Sequence, residues 1–449
     1  MKPILQLALD FIDLQRALKN AQAGIAGGVN WIEAGTPLIK SEGLNAVREL
    51  RKLFPQTTIV ADMKIMDTGR VEVEAAAKAG ANIVDVLGAA SDATIQECIQ
   101  AGKNYGAKIV VDMIAVEDVL SRAQFAEELG ADYVTIHCAV DEQMQGKDPF
   151  ETLRQVSQVL NIPVGVAGGI NSETAGEAVA AGAAIVIVGG AISKALDPEQ
   201  AARDIRQGLD TGKSISTTLF KRGGEAQIRE ILEQVSAANL SDALHRGGVL
   251  QGIRPLFPGI QMVGRAITVR TYPGDWAKPV QAIDVAEPGD VIVIDAGGVG
   301  PALWGELATH SAVRKGLAGV VIDGALRDSD EIVALKFPAF SRLVMPNAGE
   351  PKGFGEIGVP VTVGDMRVET GDWLLGDGDG VVVLPRAMAV EYANRGMDVL
   401  EKENRIREEI KEGSTLSKVT ELLRWENREE IKEGSTLSKV TELLRWEKK

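Results

Sequence analysis

The chain is predicted to be an α/β protein, with a closed (β/α)8 barrel of the TIM type at the N-terminus, a mixed α/β domain after it and a helical tail at the end. Three observations predict the barrel. Eight short apolar runs alternate with helix-length segments over residues 1–209, which is the arithmetic of eight βα units. Charged residues or histidine stand where several of these runs end. The last two runs lead into glycine pairs, Gly168-Gly169 and Gly189-Gly190, at the place where such barrels commonly hold phosphate through backbone amides. An open doubly wound sheet would give the same alternation, but the eighth repeat and the late glycine pairs favour closure.

The expected strands are Ile4–Leu9, Trp31–Ala34, Thr58–Met63, Ile83–Leu87, Lys108–Met113, Tyr133–His137, Pro163–Ala167 and Ile185–Val188. The third run continues into Ala61-Asp-Met-Lys-Ile-Met-Asp-Thr-Gly69. Side chains alternate with period two along a strand, so Asp62 and Lys64 point to one face, and Asp67 follows in the loop. Two carboxylates and an ammonium at a buried strand end are costly unless they neutralise one another or hold a cation and an anionic substrate. Alone, the set reads as a strand-end salt bridge. Asp10, Glu33, Asp112 and His137 at other strand ends turn it into one pocket.

Bulk properties narrow the class. A chain of 449 residues exceeds one ordinary core, so two or three domains are expected. A net charge of −15 argues against a general nucleic-acid or anionic-membrane binder, which needs a basic footprint. Asp10 interrupts the apolar start before it could serve as a signal-peptide core, and no apolar run approaches the ~18 residues of a spanning helix, so a cytoplasmic location is expected. Cys98 and Cys138 make neither a disulfide framework nor a metal cluster. His137 lies next to Cys138, but strand neighbours face opposite ways, so Cys138 reads as buried packing rather than a nucleophile.

The order Ala-Leu-Asp10, Glu33-Ala-Gly-Thr-Pro, Ala-Asp62-Met-Lys64-Ile-Met-Asp67, Val-Val-Asp112-Met, Thr-Ile-His137, Val-Ala-Gly168-Gly169-Ile and Val-Gly189-Gly190-Ala-Ile resembles the 3-hexulose-6-phosphate synthases, of the orotidine-monophosphate-decarboxylase-like barrels. The resemblance covers residues 1–209. It implies Mg²⁺, or another divalent metal such as Mn²⁺, on Glu33 and Asp62, and D-ribulose 5-phosphate with its phosphate on the two glycine-pair loops. His137 would be the base at C1, Lys64 would balance charge at the enediolate, Asp10 would orient sugar hydroxyls, and Asp112 would contribute to substrate binding. Asp67 would reach a partner subunit's site, as in this group of dimers, and the electrophile would be formaldehyde. The related 3-keto-L-gulonate-6-phosphate decarboxylases carry Glu, Thr and Arg where this chain has Asp112, Ala167 and Ala191, and these three positions oppose that alternative.

Residues 210–222 are small and polar, as a linker would be, and a second domain is expected over residues 223–392. It should begin with a helix over Glu225–Gln234, followed by another starting near Ser241 or Asp242. The Gly376-Asp-Gly-Asp-Gly380 run lacks the spacing of a calcium loop and reads as a tight turn feeding a buried strand. Gly305-Glu306-Leu307, Arg327-Asp328 and this run resemble the RraA-like/class II pyruvate aldolase family. In its metal-dependent aldolases the matching positions imply a divalent metal on Asp328, a keto-acid carboxylate on Arg327, backbone amides from Gly305 to Leu307, and Glu306 holding a metal-bound water. Members named for regulating a ribonuclease instead bind a protein. Residues 393–449 form a charged helical tail in which the twenty residues Arg407–Glu426 recur unchanged as Arg428–Glu447, a duplication rather than a solenoid. Leu416, Val419, Leu422 and Leu423 make a short apolar face for the second domain or a neighbouring subunit in a homo-oligomer.

Overall fold

Residues 2–217 and 221–420 are described by the structure, a computed structural model. The first eight strands are β1 (Ile4–Leu9), β2 (Trp31–Ala34), β3 (Thr58–Ile65), β4 (Ile83–Leu87), β5 (Lys108–Asp112), β6 (Tyr133–His137), β7 (Val164–Ala167) and β8 (Ile185–Val188), and they close into a barrel in sequence order. Every neighbouring pair is parallel, including the closing β1–β8 pair, so each connection is a crossover through helix and the eight carboxyl ends share one face.

The sequence dictates two layers of core. Outward-facing strand residues such as Leu5, Leu7, Ile32, Ile59, Val84, Ile109, Val134 and Val186 pack under the surrounding helices. Inward-facing residues form a floor of Val60, Ile83, Val110, Tyr133 and Ile185. One step of the period-two alternation further along β1 to β6, the inward positions turn polar: Gln6, Glu33, Asp62, Asp85, Asp112 and Thr135. Thus the barrel is filled by hydrocarbon at the bottom and lined by charge at the top.

The helix Pro198–Thr211 runs two residues past the expected end of the barrel at 209, so the start of the expected linker is helical. The chain then lies against the barrel, with Ser172 donating to the Ile215 carbonyl and Thr217 N–H donating to Glu173. The second sheet has the order Gly380–Leu384, Trp373–Asp377, Met262–Thr271, Val291–Asp295, Gly319–Leu326, Ala339–Val344 and Arg254–Pro255, with Gly355–Ile357 also paired to Met262–Thr271. Its centre is parallel and its edges antiparallel, and apolar clusters cover both faces. Asp377 and Gly380 close the hairpin expected from the Gly-Asp run, and Asp379 N–H donates to the Asp377 carboxylate.

One helix boundary is corrected. The helix is Ala237–Ala243, capped by Ser236, whose hydroxyl accepts from Asn239 N–H while Asn239 reaches back to the Ser236 N–H. Ser236-x-x-Asn239 is thus the capping box, and Ser241 and Asp242 lie near the other end. The long helix Ala389–Lys411 follows the second sheet and packs on the second domain through Ala389, Ala393 and Met397, so the tail expected from residue 393 begins inside a helix of that domain. Residues up to Leu400 form one compact unit that holds both sheets, and the chain from Glu401 forms another, in which Leu416–Val419 is a short helix. Leu422, Leu423 and the second copy of the repeat lie outside the described residues.

Candidate active site

At the carboxyl ends of the barrel strands lies a cavity of about 600 Å³, lined by Asp10, Glu33, Asp62, Lys64, Asp112, His137 and the glycine pairs 168–169 and 189–190. The strand order brings together nearly all the residues singled out in the first half of the sequence. Asp67 is not among them: it is exposed beyond β3, and its carboxylate accepts the Thr68 N–H at 2.7 Å.

Lys64 is delivered by a local irregularity. The β3–β4 register shifts between Ala61 and Ile65, and Lys64 has φ 45°, a left-handed conformation that costs a non-glycine residue roughly 1–3 kcal/mol. The return is charge pairing. Its Nζ lies 2.9 Å and 3.0 Å from the two oxygens of Asp62 and 3.6 Å from Asp112 Oδ2. Burial opposes the charge on Lys64, but Asp62, Asp85 and Asp112 outweigh it and hold the ammonium above its ordinary range. Asp62 is fixed further by Thr36, whose backbone N–H and hydroxyl donate to Oδ2 at 3.1 Å and 2.7 Å.

Asp112 binds His137. Its Oδ2 is 2.7 Å from His137 Nδ1, and its Oδ1 accepts the Ile114 N–H at 2.9 Å. Burial works against the charge of Asp112, but His137, Lys64 and the Ile114 amide together hold its carboxyl below the usual range. An ionised carboxylate at Nδ1 assigns the imidazole proton there, leaving the Nε2 lone pair as the basic site.

For the remaining acids burial and neighbouring carboxylates outweigh the charge of Lys64. Glu33 accepts from Gln6 Nε2, and burial, then Asp62 and Asp10, push its pKa up to about 8. Asp85 on β4 is buried, is raised well above the carboxylate range by burial and by Asp112 and Asp62, and its Oδ1 has no hydrogen-bond partner. Asp85, Gln6 and Thr36 were not foreseen. The signal for Asp85 was available, a single acid inside the apolar run Ile83-Val84-Asp85-Val86-Leu87.

Four buried carboxyl groups beside one ammonium, two of them raised by burial and by neighbouring carboxylates and one oxygen without a hydrogen-bond partner, are the marks of a site short of positive charge. Among the described residues no three His, Cys, Asp or Glu side chains are gathered as ligands. A cation here would therefore take two carboxylates and complete its shell with water and substrate oxygens, which suits Mg²⁺.

Both glycine pairs border the cavity. Gly168 and Gly169 have φ 108° and 70°, and a Cβ on Gly168 would collide with the Cys138 carbonyl. Cys138 itself is buried, and that burial pushes its thiol to about 11, as expected for packing rather than a nucleophile.

In the second domain, Asp328 sits at φ 56° and accepts the Glu306 backbone N–H on Oδ2 at 3.0 Å, with Arg327 Nε 3.5 Å from the same oxygen. Gly305 is needed for this approach, since a Cβ there would stand 2.5 Å from Asp328 Oδ2. The Glu306 side chain pairs instead with His310 Nε2 at 3.4 Å, a partner the sequence reading missed. Leu307 is 80% exposed.

A closed parallel barrel with a histidine–aspartate pair and a half-buried lysine at the carboxyl ends of its strands defines a (β/α)8 enzyme equipped for proton transfer. Residues 3–205 match the family model "Orotidine 5'-phosphate decarboxylase / HUMPS family", and residues 237–383 match "RraA-like: Aldolase/RraA". The 3-hexulose-6-phosphate synthase of Staphylococcus epidermidis is 42% identical over 207 residues, 46% of this chain and 98% of the relative. That of Bacillus subtilis is 41% identical over 204 residues, 45% of this chain and 97% of the relative. The solved 3-hexulose-6-phosphate synthase of Salmonella typhimurium is 40% identical and aligns with 47% of this chain and all of its own, with a TM-score of 0.45. Through its N-terminal half the chain belongs to the orotidine 5'-phosphate decarboxylase/HUMPS family, and that half is a 3-hexulose-6-phosphate-synthase-like, lyase-type enzyme domain joined to an RraA-like domain.

Proposed function

We propose that the barrel catalyses the reversible aldol addition of formaldehyde to D-ribulose 5-phosphate, giving 3-hexulose 6-phosphate. The observation that carries this reading is the Asp112–His137 pair beside Lys64 and the acid cluster. His137 Nε2 takes a proton from C1 of the pentulose, and Asp112 holds the imidazole and stabilises the imidazolium that forms. Lys64 stands against the developing enediolate charge, and Asp10, exposed at the mouth, orients sugar hydroxyls. The nucleophilic C1 forms the new bond to the formaldehyde carbon, and the oxygen of that carbon takes up a proton. The formaldehyde carbon becomes C1 of the product and the former C2 carbonyl becomes C3. Backbone amides of Gly168-Gly169 and Gly189-Gly190 hold the phosphate. Mg²⁺ held by Glu33 and Asp62 would supply positive charge to the enediolate when bound. Asp67, exposed beside Met66 at 55% and near Val71 at 66%, supports a dimer in which this residue reaches the other subunit.

For the second domain the reading is a metal-assisted keto-acid lyase site, with Arg327 gripping the carboxylate and Asp328 as metal ligand. It is supported by the seating of Asp328 on the Glu306 amide.

The barrel is tested by formaldehyde consumption with D-ribulose 5-phosphate, with and without Mg²⁺, beside His137→Ala. Turnover that needs the metal and is lost in the variant supports the reading. Ribulose 5-phosphate binding without formaldehyde consumption would reopen the keto-gulonate alternative. The second site is tested by deuterium exchange into the pyruvate methyl group, which Asp328→Ala should abolish; capture of a protein partner unaffected by chelator would point to the regulator instead.

A further inference from the structure

Segments that flank both glycine pairs of the barrel are tied to one helix of the second domain. In Ala389–Lys411, Asn394 and Asp398 are spaced i, i+4 and share a face. Asn394 is fully buried: it accepts the Gly223 N–H at 2.9 Å and donates to the carbonyls of Met144 at 2.9 Å and Gly223 at 3.0 Å. Met144 ends the short helix Val140–Met144 that follows β6. Its neighbour Gln143, 4% exposed, lines the cavity, donates to the Cys138 carbonyl at 2.8 Å, and stands over Gly168, whose Cβ would come within 3.1 Å of Gln143 Nε2.

The second tie runs through Asp398. Its carboxylate accepts from Lys194 Nζ at 2.5 Å and from Arg222 at 3.0 Å. Lys194 closes the turn that begins at the other glycine pair, its N–H donating to the Gly190 carbonyl at 2.9 Å. It is also near enough to the cavity for its charge to act on Asp10. Arg395 adds a pair to Asp141 of the short helix at 3.1 Å, but Asp141 is 83% exposed and this contact contributes little.

We propose that the Asn394–Asp398 segment of the second domain is a strut that sets the barrel's grip on the substrate phosphate, with Asn394 and Asp398 as positioning residues. The inference rests on the reading of the glycine pairs as the phosphate site. The synthase relatives are covered to 97–98% of their length by the barrel region of this chain, so the strut is something the second domain adds. Loops already held in the bound conformation lose less freedom on binding, and that saving appears as affinity for the group they hold. By linkage, an occupied phosphate site tightens the contact between barrel and helix in the same measure. The second domain thereby acts on the barrel's substrate binding whatever its own chemistry.

The test uses the full chain and the variant Asp398→Asn, which keeps size and sits at a partly exposed position. We expect KM for D-ribulose 5-phosphate, and the Kd of inorganic phosphate by calorimetry, to rise about tenfold, with kcat and the KM for formaldehyde within about twofold of wild type. Asn394→Ala should move the same two quantities further; if it fails to fold, Asp398→Asn alone decides. Unchanged phosphate affinity in Asp398→Asn overturns the strut, and so does an equal loss in kcat and both KM values, which would mean general loosening. A wild-type chain that binds phosphate but leaves formaldehyde untouched removes the proposed reaction and leaves the strut to be judged on phosphate affinity alone. A wild type without phosphate affinity overturns both.

Discussion

Asp112→Asn should disable the base without disturbing the barrel. The carboxylate serves two donors at once, His137 Nδ1 on Oδ2 at 2.7 Å and the Ile114 N–H on Oδ1 at 2.9 Å. An amide can serve only one of them. If its NH2 turns to His137, Nδ1 must accept, the imidazole proton moves to Nε2, and the basic lone pair is lost from the cavity side. If its NH2 turns to Ile114, two donors face each other in a position only 2% exposed, an unsatisfied contact costing about 1–3 kcal/mol. A hydrogen bond to a charged group is worth about 1.5–3 kcal/mol, so kcat should fall by roughly one to two orders of magnitude from this loss, and by more if the tautomer inverts. Lys64 keeps its bonds to Asp62, so KM for the pentulose phosphate should stay within about threefold. The assay is initial-rate formaldehyde consumption, with circular dichroism melting as a check on folding. A well-folded variant retaining kcat within about threefold of wild type would refute the assignment of His137 Nε2 as the base.

Glu33 carries a pH signature. Its folded pKa of about 8 lies above its ordinary 4.5, so between these values the native state keeps a proton the unfolded chain releases. Stability should therefore fall as pH rises from about 4.5 to about 8 and then level off, and Glu33→Gln should flatten this slope in melts run with chelator; parallel curves would count against it. Over the same window Mg²⁺ binding should release protons, measurable by calorimetry in buffers of different ionisation enthalpy. Cys138→Ala should keep kcat within about threefold, because its thiol is held near 11 by burial; loss of all turnover would make the cysteine catalytic. Ser236→Ala should cost about 1 kcal/mol in urea unfolding through loss of the helix cap, and no change in the midpoint would contradict the cap geometry.

The barrel was legible because its code is local. Each strand is an apolar run of four to eight residues, and the period-two alternation that fills the floor also aims the acids into the mouth. What could not be read was pairing across distance. That Asp112 belongs to His137, 25 positions away, depends on β5 and β6 being neighbours in register, and Asp112 was accordingly expected to meet substrate rather than orient the base. Asp85 escaped notice because one acid within an apolar strand looks like noise until closure turns it inward. Lys64 reaches its partners through a register shift that alternation alone does not foresee. The contact of Asn394 with Met144, 250 positions apart, has no local signature at all. The cap at Ser236 was missed for a different reason: Ser241 and Asp242 are also residues of capping type, and only the pairing of Ser236 with Asn239 shows where the helix begins.

The most direct measurement is carbon NMR of the full chain with ¹³C-formaldehyde, unlabelled D-ribulose 5-phosphate and Mg²⁺. We expect the label to leave the formaldehyde hydrate and appear as the C1 hydroxymethyl carbon of a 3-hexulose phosphate, and to remain as hydrate with His137→Ala. Label that stays in formaldehyde with the wild type, while the same preparation releases carbon dioxide from 3-keto-L-gulonate 6-phosphate, would contradict the proposed reaction.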